Sequence, residues 1–149
     1  MSIRNSLLAL SLVLATSMLS ACFQERSEAG RAPVFVFGID GATWKILEPM
    51  IKAGELPNLA QHYDSGMRGV LRSRAPAISP VSWTTIFTGR LPSQHGVESW
   101  KTSQSTHRRV KALWNISSDA GLSTNVFNVP STWPPERING VMMSGFPLS

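Results

Sequence analysis

Three things are scarce in this sequence: cysteine, charge, and apolar runs long enough to cross a bilayer. Cys22 is the only cysteine, so no disulfide can form within the chain, and a disulfide-stapled scaffold is excluded. Charged residues make up 15% of the 149, against about a quarter in a typical soluble domain, which excludes a charge-rich disordered chain. The most apolar run, residues 7–19, is shorter than the roughly 20 residues a spanning helix needs. Basic residues outnumber acidic ones, 14 against 9, but they are dispersed. Their densest group is His107-Arg108-Arg109 with Lys111. No basic stripe with interleaved aromatics exists, so no nucleic-acid binding is expected. A mildly positive surface suits an anionic substrate or an anionic membrane surface.

What is present is ordinary for a globular chain: 42% hydrophobic residues, with ten Pro and eleven Gly to make turns. The length suffices for one domain with a real core. The N-terminus has the form of a targeting segment. Arg4 supplies a positive charge, an apolar run follows, and the run ends in Leu19-Ser20-Ala21-Cys22. That ending resembles a bacterial lipobox, in which the cysteine becomes the lipidated first residue of the mature protein. Lipidation of Cys22 would remove the problem of a lone exported thiol and would anchor the protein to a membrane surface without spanning it. The expected organisation is a signal peptide over 1–22, a polar tether over 23–33 and a folded domain over 34–149. The expected location is the bacterial cell envelope, exported, lipid-anchored and facing the periplasm.

Strand and helix patterns alternate along the folded part. Residues 34–39 (Val-Phe-Val-Phe-Gly-Ile) form a continuous β-prone apolar run, which predicts a strand buried on both faces. Trp44, Leu47, Met50 and Ile51 share one face of a helix over 43–53, with Gly54 closing it. Pro57 opens a second short helix that Gly66 ends. Residues 67–74 have a strand-like pattern. Ser79-Pro80 begins a helix through Trp83, Ile86 and Phe87 to Gly89. Residues 90–106 are polar and loop-like. A helix is predicted over 108–120 from Val110, Leu113, Trp114 and Ile116, with strands over 125–129 and from 140. Trp44, Trp83 and Trp114 stand at apolar helical positions and are expected in the core, whereas Trp100 and Trp133 fall in loops. The alternation predicts an α/β fold with a mostly parallel sheet flanked by helices.

Two residues stand where chemistry is expected. Asp40 follows directly on the first apolar run, and ligands in parallel α/β sheets gather at the carboxyl ends of strands. A carboxylate there suits a divalent metal; Asp-Gly is equally a turn signal. Ser79 precedes Pro80, the pairing of a helix N-cap with a first helical proline. A hydroxyl at the positive end of a helix can serve as a nucleophile once a metal lowers its pKa; it can also simply cap. Pro80 has no N–H, so Val81 and Ser82 are the expected donors to an anion at that end. The Ser82 hydroxyl is a second candidate contact for a developing oxyanion.

The order of four blocks carries a resemblance. These are Phe-Gly-Ile-Asp-Gly (37–41), Gly-Glu-Leu-Pro-Asn-Leu (54–59), Ser-Pro-Val-Ser-Trp-Thr-Thr-Ile-Phe-Thr-Gly (79–89), and Pro92 with His95-Gly96. Together they resemble the N-terminal region of the type I phosphodiesterase/nucleotide pyrophosphatase family of the alkaline phosphatase superfamily. The resemblance implies a metal-dependent phosphoric-ester hydrolase with two divalent ions, zinc by preference, and a phosphate-ester or nucleotide-like substrate. It implies that Asp40 binds one ion, and that Ser79 is the nucleophile and a ligand of the same ion. Ser82 stands where many members carry an Asn that assists the phosphate oxygen. His95-Gly96 matches a pair that shapes a loop and does not bind metal. A sulfatase would need Arg where Trp83 stands.

The remaining ligands that the resemblance implies have no counterpart here. After His95 the only histidine is His107, the only carboxylates are Glu98, Asp119 and Glu136, and no Asp-x-x-x-His arrangement occurs. The expectation is therefore an incomplete alkaline-phosphatase-like core: the N-terminal part of a longer enzyme, inactive by itself. The alternative is a non-catalytic envelope lipoprotein that uses the same scaffold for binding. Substrate identity and oligomeric state are not readable from these residues.

Overall fold

The computed structural model describes residues 32–146. The signal segment, Cys22 and residues 23–31 of the tether lie outside the described residues, as do 147–149. The chain divides into two compact units, one ending at Gly38 and the other beginning at Ile39.

In the first unit, residues 32–38 carry no regular secondary structure. The expected strand over 34–39 is therefore a correction. Val34, Phe35, Val36 and Phe37 are 63–88% exposed, and the rings of Phe35 and Phe37 stack on each other. A strand exists through its hydrogen-bonded neighbours, and among the described residues this segment has none.

The second unit holds five α-helices among the described residues: α1 Trp44–Lys52, α2 Pro57–Ser65, α3 Ser79–Thr88, α4 Pro92–His95 and α5 Leu113–Asp119. Two 3-10 turns, Trp100–Thr102 and Ser105–His107, and two strands, β1 Thr124–Val129 and β2 Gly140–Ser144, complete it. No helix among the described residues is long and apolar enough to cross a membrane.

Thr43 caps α1 by accepting the Lys45 N–H. The helix stops where Gly54 takes a positive φ of 77°. Glu48 ties α1 to α2, accepting from the Tyr63 hydroxyl at 3.0 Å and pairing with Lys52 at 3.1 Å. Trp44 tilts against the Tyr63 ring. Residues 67–74 are not a strand. Met67, Val70 and Leu71 are exposed, because apolar spacing alone supplies no partner edge.

β1 and β2 pair in parallel, Thr124 opposite Gly140 and Val126 opposite Met142. The helices beside this parallel pair make an incomplete α/β core of the expected class. Trp114, Ala112 and Val126 are buried at its centre, with Phe87, Ile138 and Met142 packed against them. The Phe87 and Trp114 rings lie 5.4 Å apart, so α3 and α5 meet through aromatics, which contribute beyond area burial alone. Trp114 is core as expected, Trp44 and Trp83 are half-buried, and Trp100 and Trp133 are largely exposed.

Two boundaries differ from expectation. Residues 90–106 contain α4, the first 3-10 turn and the start of the second. The helix expected over 108–120 begins only at Leu113. Asn115 accepts the Ala112 N–H at 2.9 Å and caps the helix there. The Arg108 guanidinium meanwhile reaches the Val110 carbonyl at 2.9 Å, holding that stretch as a loop.

Candidate functional site

Asp40 and Gly41 form the middle of a tight turn, closed by the Ala42 N–H to the Ile39 carbonyl at 3.4 Å. Gly41 takes φ +71°, a conformation that side chains resist. The turn leaves the Asp40 carboxylate exposed. The turn and ligand readings of Asp40-Gly41 are thus compatible, because the turn is what presents the carboxylate.

Ser79 is the first residue of α3. The N-cap is Ile78, not Ser79, and it makes no side-chain capping bond. The hydroxyl is therefore not spent on capping. It donates instead to Asp40 Oδ2 at 2.7 Å, across 39 residues of sequence. Two oxygens expected to share a metal thus meet where a turn faces the first residue of α3.

The Ser82 N–H is not open to a ligand. It is committed to the Ile78 carbonyl at 2.9 Å, which corrects the expectation that it would face an anion. Moving the cap back by one residue leaves the N–H groups of Ser79 and Val81 without an intrahelical partner, and of these Ser79 is the one not fully buried, Val81 being 0% exposed. The Ser82 side chain is half-buried. Farther along α3, the hydroxyls of Thr84, Thr85 and Thr88 turn inward to carbonyls four residues back, leaving Ser79 as the serine or threonine of this helix whose hydroxyl bonds to a carboxylate.

His95 behaves as expected for a loop-shaping residue. Its side chain is fully buried. Nδ1 accepts the Val97 N–H at 3.1 Å, so Nε2 carries the proton and faces Thr85 Oγ1 at 3.1 Å. Thr85 in turn donates to the Val81 carbonyl at 2.8 Å. Both ring nitrogens are occupied, and none is left for a metal. Gly96 follows at φ +82°, where a Cβ would lie 2.8 Å from the His107 carbonyl. Burial, with Arg108 adding to it against an opposing pull from Glu98, holds the imidazole pKa below its usual value. The folded protein thus keeps His95 neutral, whereas the unfolded chain protonates it near pH 6.5. Its contribution to stability is complete above that pH and is lost as pH falls toward the lowered folded value. Denaturant midpoints measured between pH 7.5 and 5 should drop, and the drop should be smaller in His95→Gln; an equal drop would remove His95 as its source.

Beyond Asp40 and Ser79 no further metal donor gathers. Among the described residues no group of three or more His, Cys, Asp or Glu stands together. His62 and His107 are exposed on separate elements. A carboxylate and a hydroxyl fit two of the three or four protein ligands that zinc takes, and no more than two. One arrangement was not read from sequence. Glu136 accepts from Arg108 Nη2 at 2.5 Å, Asn115 Nδ2 at 2.8 Å and Trp114 Nε1 at 3.3 Å. Its carboxylate is consumed by these bonds and serves the fold.

A family model described as type I phosphodiesterase / nucleotide pyrophosphatase matches residues 34–141. No curated protein and no solved structure matches the chain.

Proposed function

Because the chain belongs to the type I phosphodiesterase / nucleotide pyrophosphatase family, we propose that it carries the nucleophile half of a metal-dependent phosphoric-ester hydrolase. Ser79 is the nucleophile, and Asp40 is its companion ligand. The observation that carries this reading is the 2.7 Å hydrogen bond from the Ser79 hydroxyl to Asp40 Oδ2.

Magnitudes decide what else is needed. An ordinary carboxylate lies about 12 pKa units below water, a fair stand-in for an alcohol, so on its own it is a poor base for that proton by roughly 16 kcal/mol. A divalent ion held by Asp40 and Ser79 would supply most of the difference, since zinc lowers the pKa of a bound water by about 9 units. Asp40 aims the hydroxyl oxygen by accepting its hydrogen bond. The N-terminus of helix α3, where the Ser79 N–H lacks an intrahelical partner, favours an anionic phosphoryl group there. Ser79 Oγ would then form a bond to phosphorus as the bond to the leaving oxygen breaks, and water would later release the phosphoryl group from serine.

Two donors do not complete a zinc site, so turnover requires further ligands beyond those described. We take the ions to be zinc, and the substrate to be a phosphate ester or nucleotide-like small molecule. We also take the protein to be exported and lipid-anchored through Cys22, on the strength of Arg4, the apolar run and Leu19-Ser20-Ala21-Cys22. A non-catalytic envelope lipoprotein is the second reading, favoured by the absence of a third metal donor beside Asp40 among the described residues. Acid quenching during turnover of a phosphodiester by a form of the protein that carries the remaining ligands, followed by peptide mass spectrometry, separates the two. The expected result is a phosphoryl adduct on the peptide containing Ser79. An adduct on another residue, or turnover with none on any peptide, would remove Ser79 from the role.

A further inference from the structure

We propose a second anion-binding site, distinct in its residues from Asp40 and Ser79, in the cleft beside α5. The cleft is a shallow, solvent-open depression of about 330 Å³, and four cations line it: Arg108, Arg109, Lys111 and Arg137. Only two carboxylates share the lining, Glu136 and Asp119, and both are already paired. Glu136 is held by Arg108, Asn115 and Trp114. Asp119 is paired with Lys111. That leaves Arg109 and Arg137, which form no ion pair with a carboxylate among the described residues. Among the described residues, the cleft therefore carries two positive charges without a carboxylate partner.

The backbone of Arg109 is held directly, and that of Arg137 through its neighbour, since the Glu136 N–H donates to Met142 Sδ at 3.2 Å. The Arg109 N–H donates to the His95 carbonyl at 3.0 Å, and its Cδ and Nε lie against Gly96. Arg137 directly follows Glu136, whose side chain the three-donor network holds in place. Such pre-positioning lowers the cost of ordering long side chains around a ligand. Planar guanidinium forks match tetrahedral phosphate oxygens in pairs, which a solvated lysine does not do as well. The ligand chemistry is therefore a phosphate group carrying at least two acceptor oxygens. It could come from a free phosphate or pyrophosphate, or from the headgroup of an anionic lipid. The site does not depend on the reading of Ser79, because it shares no residue with it.

The test uses the full chain in neutral detergent, with Arg109→Gln/Arg137→Gln as the variant. Lys45→Gln/Lys101→Gln serves as a control with the same charge change on two exposed lysines that do not line the cleft. Titration with inorganic pyrophosphate should show saturable binding that weakens tenfold or more in the arginine variant and less than twofold in the control. Co-sedimentation with vesicles compares phosphatidylglycerol with phosphatidylcholine. A preference for phosphatidylglycerol that the arginine variant loses and the control keeps would identify a lipid headgroup as the source, and pyrophosphate binding without that preference would identify a free phosphate. Melting curves of both variants establish that the fold is intact. Equal losses in the arginine variant and the control, or no binding to either pyrophosphate or phosphatidylglycerol, would overturn the proposal.

Discussion

Ser79→Ala is expected to lower kcat/KM for metal-dependent hydrolysis of a phosphodiester by about a thousandfold or more, about 4 kcal/mol of transition-state stabilisation. The change removes the attacking oxygen and one of the two donors that stand together at the site. It should not disturb the helix, because Ser79 makes no cap bond and alanine is the best helix former. Circular dichroism and the melting temperature should therefore match the parent, leaving chemistry as the only loss. Ser79→Thr keeps a hydroxyl beside Asp40 and should retain measurable activity, which alanine cannot. The assay is bis(4-nitrophenyl) phosphate with zinc in excess, on a form of the protein that carries the remaining ligands. Turnover by Ser79→Ala within threefold of the parent would be incompatible with a serine nucleophile here.

Glu136→Ala is expected to have the largest effect on stability. The Arg108 side chain is 6% exposed and that of Glu136 is 22% exposed, so this pair is largely desolvated. Removing one member strands the other charge, together with the donors on Asn115 and Trp114, at a cost of roughly 3–5 kcal/mol. For a small domain this lowers the melting temperature by on the order of 15 °C. The Lys111–Asp119 pair provides the contrast. Its side chains are 65% and 57% exposed, and Lys111→Ala should cost less than about 1 kcal/mol. Replacing both buried partners, Arg108→Met with Glu136→Leu, should recover much of the single-variant loss, because no charge is then stranded. Thermal unfolding of the three variants measures this. A loss under 1 kcal/mol for Glu136→Ala would mean that water reaches the pair.

Helices α1, α2 and α3 were legible because their signals are local. Thr43, Pro57 and Gly89 stand within a turn of the ends they mark. The shift of the α3 cap from Ser79 to Ile78 arises because serine and proline are both favoured across the first positions of a helix, and side-chain contacts decide between them. Here the Asp40 carboxylate takes the hydroxyl that capping would have used. Residues 34–39 were misread for the opposite reason. An apolar run states that a surface should be covered, not which element covers it. The helix predicted from residue 108 failed because Arg108 and Asn115 bond to backbone groups nearby, and hydrophobic periodicity does not register such bonds. Long-range pairings were the least legible. Nothing in local pattern links Arg108 to Glu136 or Thr85 to His95. Asp40 and Ser79 were joined beforehand only through block order, and their contact is the part of the site that geometry adds.

The bare segment at residues 34–39 has a consequence for handling the protein. Six successive residues there contain no charge and no proline, four of them valine or phenylalanine, and their side chains face solvent. Such a window is a template for intermolecular β-pairing, in which identical segments stack and bury each other's side chains. The hazard grows with concentration, since it is a reaction between copies. The stretch that leads into Asp40 is thus also the place where colloidal behaviour is set, and insolubility of a recombinant product would begin there while the helical part of the chain remains well folded.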